Sequence, residues 1–178
     1  MTIDENLRTL QLNLVAPVAL THAALDGMLR RGRGHIVNIS AMAGRVSFPY
    51  TEVYAAAKDG VIGFTRVLRS DYHALGVSAS VLILGAIRDA GQGQRMLDES
   101  GMNASGFMAP AESVARAVVK AVKKDRAELV VMPGPGRLIR AVMDYFPGLG
   151  PALNRAAGAS NTMQKIIERR DADANAAA

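Results

Sequence analysis

A tyrosine and a lysine lie four residues apart in the stretch VYAAAKDG, as Tyr54 and Lys58, with only alanines between them. On a helix, positions i and i+4 lie above one another on one face, so the phenol and the amine share one local environment. The three small side chains leave room around both groups. Such a pair is typical of a proton-transfer site, although an amphipathic helix surface has the same spacing.

The period of the apolar residues predicts the elements around this pair. Leucines at helical spacing predict a long helix over residues 4–30, with a kink at Pro17. The β-branched run HIVNIS predicts a buried strand at 35–40, followed by a loop. The helix that carries the pair is expected over 52–75, and VSASVLIL predicts a second buried strand at 77–84.

The alternation of strands and helices continues beyond a long connection at 85–110, and connections of that length are usually functional or mobile. A helix is predicted over 110–125 and a third strand over 127–133. We interpret an amphipathic segment at 137–158 as a cap over the substrate site, with a membrane surface or a partner as alternative contacts. Residues 159–178 are expected to form a helical or disordered tail.

Buried strands that alternate with helices predict an α/β fold, with a parallel sheet covered by helices on both faces. About three parallel strands are expected. They belong to a single domain over residues 1–158, because no repeat, low-complexity linker or second domain is visible in the sequence.

Composition excludes several classes of function. The chain has 178 residues, of which 49% are hydrophobic and 21% charged, as in soluble globular proteins. It has no cysteine, which excludes thiolate chemistry and disulfides and fits a reducing cytoplasm. The net charge of +5 is scattered and aromatic residues are only 4%, so we expect no nucleic-acid partner.

The sequence predicts neither a membrane protein nor a metalloprotein. Asp4 and Glu5 stand where a signal peptide needs basic residues, and no unbroken apolar run approaches the twenty or so residues of a membrane span. We therefore expect a cytoplasmic protein without membrane contact. The three histidines, His22, His35 and His73, lack the spacing of metal ligands, so no metal site is predicted.

Four motifs together make the chain resemble the short-chain dehydrogenase/reductase family. They are LNLVAP at 12–17, GHIVNISAMAGR at 34–45, YAAAK at 54–58 and VSASVLILGAI at 77–87. A tyrosine and a lysine at this spacing are a weak signal alone, but their position at the start of a helix that follows the GHIVNIS strand is specific. The resemblance covers roughly residues 4–132 and implies the C-terminal part of a Rossmann-like doubly wound sheet.

The resemblance also implies roles for individual residues. Tyr54 would be the general acid or base that exchanges a proton with an alcohol or ketone. Lys58 would favour the phenolate, lowering the tyrosine pKa from its usual value near 10, and would bind the nicotinamide ribose of NAD or NADP. Asn13 matches an asparagine that helps hold a water in the proton relay, and Gly85 matches a glycine that lies against the nicotinamide.

Three residues depart from the family pattern. The serine that polarises the substrate carbonyl lies thirteen residues before the tyrosine in the family, and that position is Ala41 here. Ser40 is adjacent and could contact substrate, but neighbouring strand residues point to opposite faces, which favours a structural role. Leu84 and Asp89 stand where the family has a proline and a threonine beside the cofactor.

The glycine-rich turn that binds the cofactor pyrophosphate in the family is not found in its expected place. The stretch PGPGRL at 133–138 follows a strand, but its glycine spacing is wrong and we interpret it as a turn. At about 30 residues for each strand-helix-strand unit, the unmatched front of the fold corresponds to roughly 100 residues. The adenine site is therefore expected to be missing, and the choice between NAD and NADP stays open.

Two functions remain open from the sequence. One is an NAD(P)-dependent oxidoreductase that interconverts an alcohol and a ketone, with a hydrophobic substrate favoured by the apolar loop at 86–110. The other is a truncated, inactive protein of the same descent that acts through association with a partner. The resemblance implies a homo-oligomer formed through the helices 4–30 and 52–75, and a sheet that begins near residue 36 would leave its first strand at an edge.

Overall fold

The computed structural model describes residues 2–100, 108–156, 158, 161, 163, 164 and 166–168. The helices are α1 (Ile3–Leu10), α2 (Ala16–Arg30), α3 (Ala43–Val46), α4 (Glu52–Tyr72), α5 (Gly91–Ser100), α6 (Ala111–Lys123), α7 (Gly136–Tyr145) and α8 (Leu149–Ala156). The strands are β1 (Gly34–Ala41), β2 (Val77–Leu84), β3 (Ile87–Arg88), β4 (Ala109–Pro110) and β5 (Glu128–Val131).

The first two helices form one helical arm that is joined by a π-turn at Gln11–Val15. Thr2 and Glu5 close a capping box at its start, as their spacing predicts. The distortion expected at Pro17 takes the form of this π-turn, in which the Ala16 N–H donates to the Gln11 carbonyl. Proline has no N–H, so the carbonyl four residues before it loses its usual helical partner and the backbone adjusts upstream.

The main sheet has three parallel strands in the order β1-β2-β5, which confirms the predicted fold class. β1 and β2 pair along their whole length, from Gly34 opposite Val77 to Ala41 opposite Leu84. Within the described residues β1 has a neighbour on one side only, so it lies at an edge of the sheet.

Helices cover both faces of the sheet. Successive β2 residues point to opposite faces, so alternate side chains pack against different helices. Val81 and Ile83 pack against Ile62 of α4 on one face. Leu82 packs against Ala117 and Ala121 of α6 on the other. The continuous apolar run of β2 is therefore explained by burial on both sides.

Two connections contain structure that the sequence did not reveal. The predicted loop after β1 includes the one-turn helix α3, which ends at Ser47 in the left-handed conformation. The long connection at 85–110 contains α5 and a short parallel pair of β3 with β4. Residues 101–107 of this connection lie outside the described part of the chain.

The amphipathic segment at 137–158 forms α7 and α8, which pack against α3. The Asn154 side chain donates hydrogen bonds to the carbonyls of Val46 and Ser47, at 2.7 and 2.9 Å. Arg140 on α7 is buried and pairs with Glu128 of β5. These contacts fix the segment to the sheet and to α3.

The tail at 159–178 is described only at residues 161, 163, 164 and 166–168, which are helical. Met163 and Ile166 are buried there. The rest of the predicted tail lies outside the described residues.

The helical arm Ile3–Arg30 is long and apolar enough, by length and composition, to cross a membrane. Its 28 residues include a window with a mean hydropathy of 1.3, of which 11% is buried. No unbroken apolar run reveals this in the sequence, because polar residues such as Thr9 and Gln11 interrupt it. An arm that packs against a second protein chain has the same composition.

Candidate active site

Tyr54 and Lys58 lie on the first two turns of α4 and share one face, as their spacing predicts. The Lys58 ammonium lies over the Tyr54 ring, 5.5 Å from the ring centroid, within range of a cation–π interaction. Lys58 Nζ also donates a 3.2 Å hydrogen bond to the Ile39 carbonyl, near the carboxyl end of β1. The pair therefore lies at the end of the sheet where ligands bind in open α/β folds.

Ser40 fixes the helix beneath this pair and does not face solvent. Its side chain is 1% exposed, and its hydroxyl donates a 2.8 Å hydrogen bond to the Lys58 carbonyl. The substrate contact considered for Ser40 is therefore replaced in this structure by a contact with α4. The physical reason is the strand alternation, which turns the side chain towards the helix that packs on that face.

Asn38 makes a second polar contact between β1 and α4. Its amide donates to the Thr65 hydroxyl at 2.9 Å, and that hydroxyl donates to the Val61 carbonyl at 2.7 Å. Asn38 and Ser40 point to the same face of the strand, so together they set the position of α4 along the sheet.

Burial shifts the pKa values of both members of the pair. It raises the pKa of the Tyr54 phenol above its ordinary value and lowers the pKa of the Lys58 amine below its own. The expected lowering of the tyrosine pKa by lysine is thus not found here. The amine lies over the ring and donates to a strand carbonyl, and burial is the cause of the shift at Tyr54.

Asn13 lies in the π-turn, and its amide donates to the Thr9 carbonyl of its own helix at 3.1 Å. The π-turn packs on α4, because a methyl group on Gly60 would come within 3.0 Å of the Leu14 side chain. The structure therefore brings the π-turn to the helix that carries Tyr54 and Lys58. The role of Asn13 in a proton relay stays a prediction.

Gly85 follows β2, and its N–H donates to the Val131 carbonyl at 2.9 Å. A side chain at this position would come within 2.8 Å of the Met132 Cβ, so packing within the chain already requires a glycine. Asp89 has a left-handed backbone with φ 65° and pairs with Arg88. The predicted contact of Gly85 with a nicotinamide stays a prediction.

The stretch at 133–138 forms a turn that leads into α7. Gly134 has φ 73°, and Gly136 begins the helix where a side chain would overlap Met132. Among the described residues, no group of three or more histidine or acidic side chains converges as a metal site.

A second polar cluster lies at the amino ends of the strands, and we call it the Asp125 cluster. Asp125 accepts hydrogen bonds from both terminal nitrogens of Arg69, at 2.7 and 2.9 Å, and bonds to His73 at 2.8 Å. The Ser78 hydroxyl also donates to the Asp125 carboxylate. The backbone of Asp125 is left-handed, with φ 46°. The hydrogen bonds from Arg69 are the main reason that the Asp125 pKa lies far below its ordinary value.

Ser80 and His35 lie beside the Asp125 cluster. Together with Asp125, they have the residue types of a hydrolytic triad, although they are far apart in the sequence. Ser80 Oγ and His35 Nε2 are 2.7 Å apart, and His35 Nδ1 is 3.8 Å from Asp125. Ser80 is fully buried, however, and its hydroxyl donates to the Arg126 carbonyl at 2.6 Å. No substrate can reach this hydroxyl, so the arrangement is structural.

Sequence reasoning missed the groups that orient the pair. The Ile39 carbonyl is a backbone atom and leaves no signal in the sequence. The contact of Ser40 with Lys58 could have been inferred from strand alternation once α4 was known to cover that face of β1.

Comparison with known proteins points to one family. A sequence model described as "short chain dehydrogenase" matches residues 1–100. The ketoacyl reductase HetN of Nostoc sp. is 34% identical over 169 residues, which are 90% of this chain and 57% of that protein. Dehydrogenase/reductase SDR family member 7B of Danio rerio is 37% identical over 151 residues, which are 81% of this chain and 47% of that protein.

A solved structure of a short chain dehydrogenase/reductase family protein has the same fold. It superposes with a TM-score of 0.64 at 28% identity and covers 74% of this chain and 57% of that chain. The chain spans about half the length of the curated relatives it matches.

Proposed function

The chain belongs to the short-chain dehydrogenase/reductase family, and from this premise we propose that it interconverts an alcohol and a ketone with NAD or NADP. Tyr54 acts as the acid or base, and Lys58 is its positioning partner. The observation that carries the proposal is the placement of both side chains on one face of α4, beside the carboxyl end of β1.

The direction of the Tyr54 pKa shift fits a role as the acid in ketone reduction. Burial raises the Tyr54 pKa, so the phenol keeps its proton at neutral pH and is ready to donate it to a carbonyl oxygen. In the reverse direction the phenol would first have to ionise, which burial disfavours. Asn13, on the π-turn that packs against α4, is proposed to help return a proton to Tyr54 through water.

The described residues fit one end of a nicotinamide cofactor. Lys58 Nζ uses one hydrogen bond for Ile39 and has donors left for the ribose hydroxyls, with Gly85 proposed beside the ring. The cofactor, when bound, supplies the hydride. The pyrophosphate does not fit the turn at 133–136, where Gly136 is already packed against Met132.

We also propose that two copies of the chain associate through α1, α2 and α4. The support is a set of exposed apolar side chains on these helices and on the π-turn, and the most exposed are Ile3, Leu7, Leu12, Leu20 and Val67. Exposed apolar patches of this kind are typical of protein contacts. Contact with a second copy would also explain why the helical arm Ile3–Arg30 has a high mean hydropathy although little of it is buried.

A second candidate function is an inactive protein that acts only through such association. Ala41 favours it, because removal of a hydrogen-bond donor to the reacting oxygen commonly lowers the rate by about 10²–10³. Asp89 favours it too, since a carboxylate is poorly suited to contact a cofactor pyrophosphate.

One experiment separates the two candidates. The purified chain is titrated with NADH and with NADPH, and binding is followed by nicotinamide fluorescence. Reduction of a hydrophobic ketone is then measured by absorbance, and the ketoacyl reductase among the relatives makes a ketoacyl thioester the first substrate to test. Absence of both cofactor binding and turnover would reject the enzyme and leave the associating protein.

A further inference from the structure

Six charged side chains of alternating sign connect the helix that carries Tyr54 and Lys58 to the elements around it. In order of contact they are Asp59, Arg45, Asp144, Arg140, Glu128 and Arg66. The first and the last both belong to α4, seven residues apart, so they lie on one face of that helix about two turns from each other. The ion pairs thus leave α4, pass through α3, α7 and β5 and return to α4, and we call these six residues the charge ring.

Arg45 bridges two helices with two different nitrogens. Its Nε lies 3.5 Å from the Asp59 carboxylate of α4, and its Nη1 lies 3.3 Å from the Asp144 carboxylate of α7. Arg45 Nε and Asp59 Oδ1 are both buried atoms, and within the described residues neither has a hydrogen-bond partner. Each is compensated by the charge of the other, so removal of Arg45 would leave a buried carboxylate oxygen without its counter-ion.

The helix α3, which carries Arg45, is fixed at both of its ends. A helix of four residues has little stability of its own, so outside contacts must hold it. At its start, the Met42 N–H donates to the Leu84 carbonyl at 2.9 Å, which ties α3 to the carboxyl end of β2. At its end, the Asn154 amide donates to the Val46 carbonyl at 2.7 Å. Arg45 therefore extends from a fixed position at the end of the sheet where Tyr54 and Lys58 lie.

The charge ring and the sheet hold α4 from different directions. Ser40 bonds to the Lys58 carbonyl and Asn38 bonds to the Thr65 hydroxyl, both from β1. Asp59 lies six residues before Thr65, which places it roughly 120° away around the helix axis. A helix held along one side can still turn about that side, and the contact of Asp59 with Arg45 opposes this rotation.

We infer that Arg45 is a positioning residue that sets the rotation of α4, and with it the direction of Tyr54 and Lys58. Asp59 directly follows Lys58 in the chain, so a rotation that moves Asp59 away from Arg45 also moves the Lys58 amine relative to the Ile39 carbonyl. The inference rests on the proposed function for what Tyr54 and Lys58 do in the reaction. The direction of their side chains can be tested without it.

The charge ring offers a matched pair of substitutions. A guanidinium holds two carboxylates at once through separate nitrogens, whereas a lysine is a single point charge on a flexible stem, so Arg45→Lys keeps the charge but loses the bridge. Among the described residues, Arg66 has Glu128 as its ion-pair partner, at 2.9 Å, and the Arg66 side chain is 56% exposed. A lysine can make that single contact, so Arg66→Lys is the control.

The first measurement needs neither cofactor nor turnover. The lysines of the purified chain are methylated with a ¹³C label and titrated by NMR, and the Lys58 signal is identified in each variant by its loss in Lys58→Arg. Burial holds the Lys58 pKa below its ordinary value, so a rotation that brings the amine to water should raise it in Arg45→Lys. No such rise is expected in Arg66→Lys. The charge is the same in both variants and in the wild-type protein, so a lost charge cannot cause the difference.

The second measurement is turnover of a ketone with NAD(P)H. Arg45→Lys should lower kcat about tenfold with little change in KM, because a displaced proton donor affects the chemical step more than binding. Arg66→Lys should leave both constants unchanged. Absence of turnover in the wild-type protein would reject the proposed function, while the NMR comparison would still decide the role of Arg45.

A third variant, Asp144→Asn, breaks the same bridge from α7 and keeps both Arg45 and Asp59. Loss of a negative charge alone would lower the Lys58 pKa, whereas rotation of α4 would raise it, so the sign of the change separates the two causes. This variant also provides the comparison should Arg45→Lys fail to fold. The inference is overturned by an unchanged or lowered Lys58 pKa in Arg45→Lys or Asp144→Asn, or by an equal rise in Arg66→Lys.

Discussion

The two ends of the sheet use similar residue types for different purposes. At the amino ends, the Asp125 cluster pairs its carboxylate with Arg69, His73 and Ser78, and each of these contacts is a direct hydrogen bond. At the carboxyl ends, Tyr54 and Lys58 are half-buried without a carboxylate between them. The first region is electrostatically satisfied, while the second holds groups whose pKa values burial has shifted.

This difference teaches that residue types alone do not identify a site. Ser80, His35 and Asp125 have the composition of a hydrolytic triad, yet the serine is sealed in the core. Tyr54 and Lys58 make a less familiar pair, yet they remain partly open at the end of the sheet where substrates bind. Accessibility and incomplete pairing, more than chemical identity, separate a functional group from a structural one.

The largest effect is expected at the carboxyl ends. Tyr54→Phe removes the proposed proton donor and should lower the rate of ketone reduction about 10²–10⁴-fold, with little change in the free energy of unfolding. The rate is measured as NAD(P)H consumption. Tyr72→Phe is the matched control on the same helix, and an equal loss of activity in both variants would contradict the role of Tyr54.

Ser40→Ala tests the link between the strand and the pair. It leaves a buried hydrogen-bond acceptor with one partner fewer, so the free energy of unfolding should fall by about 2 kcal/mol. Looser packing at the start of α4 should also let water reach Lys58 and raise its pKa towards the ordinary value. Urea unfolding measures the first effect, and NMR of methylated lysines measures the second.

Ser80→Ala is the control at the other end of the sheet. Ser80 is as deeply buried as Ser40 and also donates to a backbone carbonyl, so the loss of stability should be similar. The Lys58 pKa should not change in this variant. If both serine variants shift it equally, Ser40 has no special relation to the pair.

Asp125→Asn tests whether charge stabilises the amino-end cluster. Asparagine tolerates the left-handed backbone, so the substitution isolates the lost charge. Because Asp125 is 43% exposed, the free energy of unfolding at neutral pH should fall by only about 1 kcal/mol. The folded pKa is lowered, so the wild-type protein should lose this contribution as the pH falls below about 4, and the variant should not. Urea unfolding over a pH series measures this, and equal slopes for both proteins would refute it.

His35→Gln gives the smallest effect, below about 1 kcal/mol, because glutamine can keep the hydrogen bond to Ser80. Burial lowers the pKa of His35, so the unfolded chain takes up a proton more readily than the folded one. Stability of the wild-type protein should therefore fall as the pH drops below about 6.5. A pH series of thermal unfolding should show a flatter profile for the variant, and a steeper profile would count against this origin.

The local sequence pattern was sufficient to predict the helix that carries Tyr54 and Lys58 and the strand β2 beneath it. The run VSASVLIL marks β2 at the residues the structure has, because a doubly covered strand is apolar throughout. The spacing of Tyr54 and Lys58 placed both on one helix face for a purely geometric reason. These features depend on neighbours in the chain.

Features that depend on distant contacts could not be predicted. The direction of the Lys58 amine is set by the Ile39 carbonyl, nineteen residues away in the chain. The Asp125 cluster joins residues about fifty positions apart, and no local sequence pattern predicts it. The short helix α3 is held from outside by Asn154, so its own residues carry little signal.

The π-turn at Gln11–Val15 has a consequence for how the chain tolerates insertions and deletions. A π-turn accommodates one residue more than a regular helix, and each residue rotates an α-helix by roughly 100°. Deleting a single residue there would restore a regular ladder but swing the side chains of α1 about a quarter turn relative to α2. The face of α1 that rests on α4 would then point elsewhere, so a change in chain length of one residue would alter this contact more than most substitutions would.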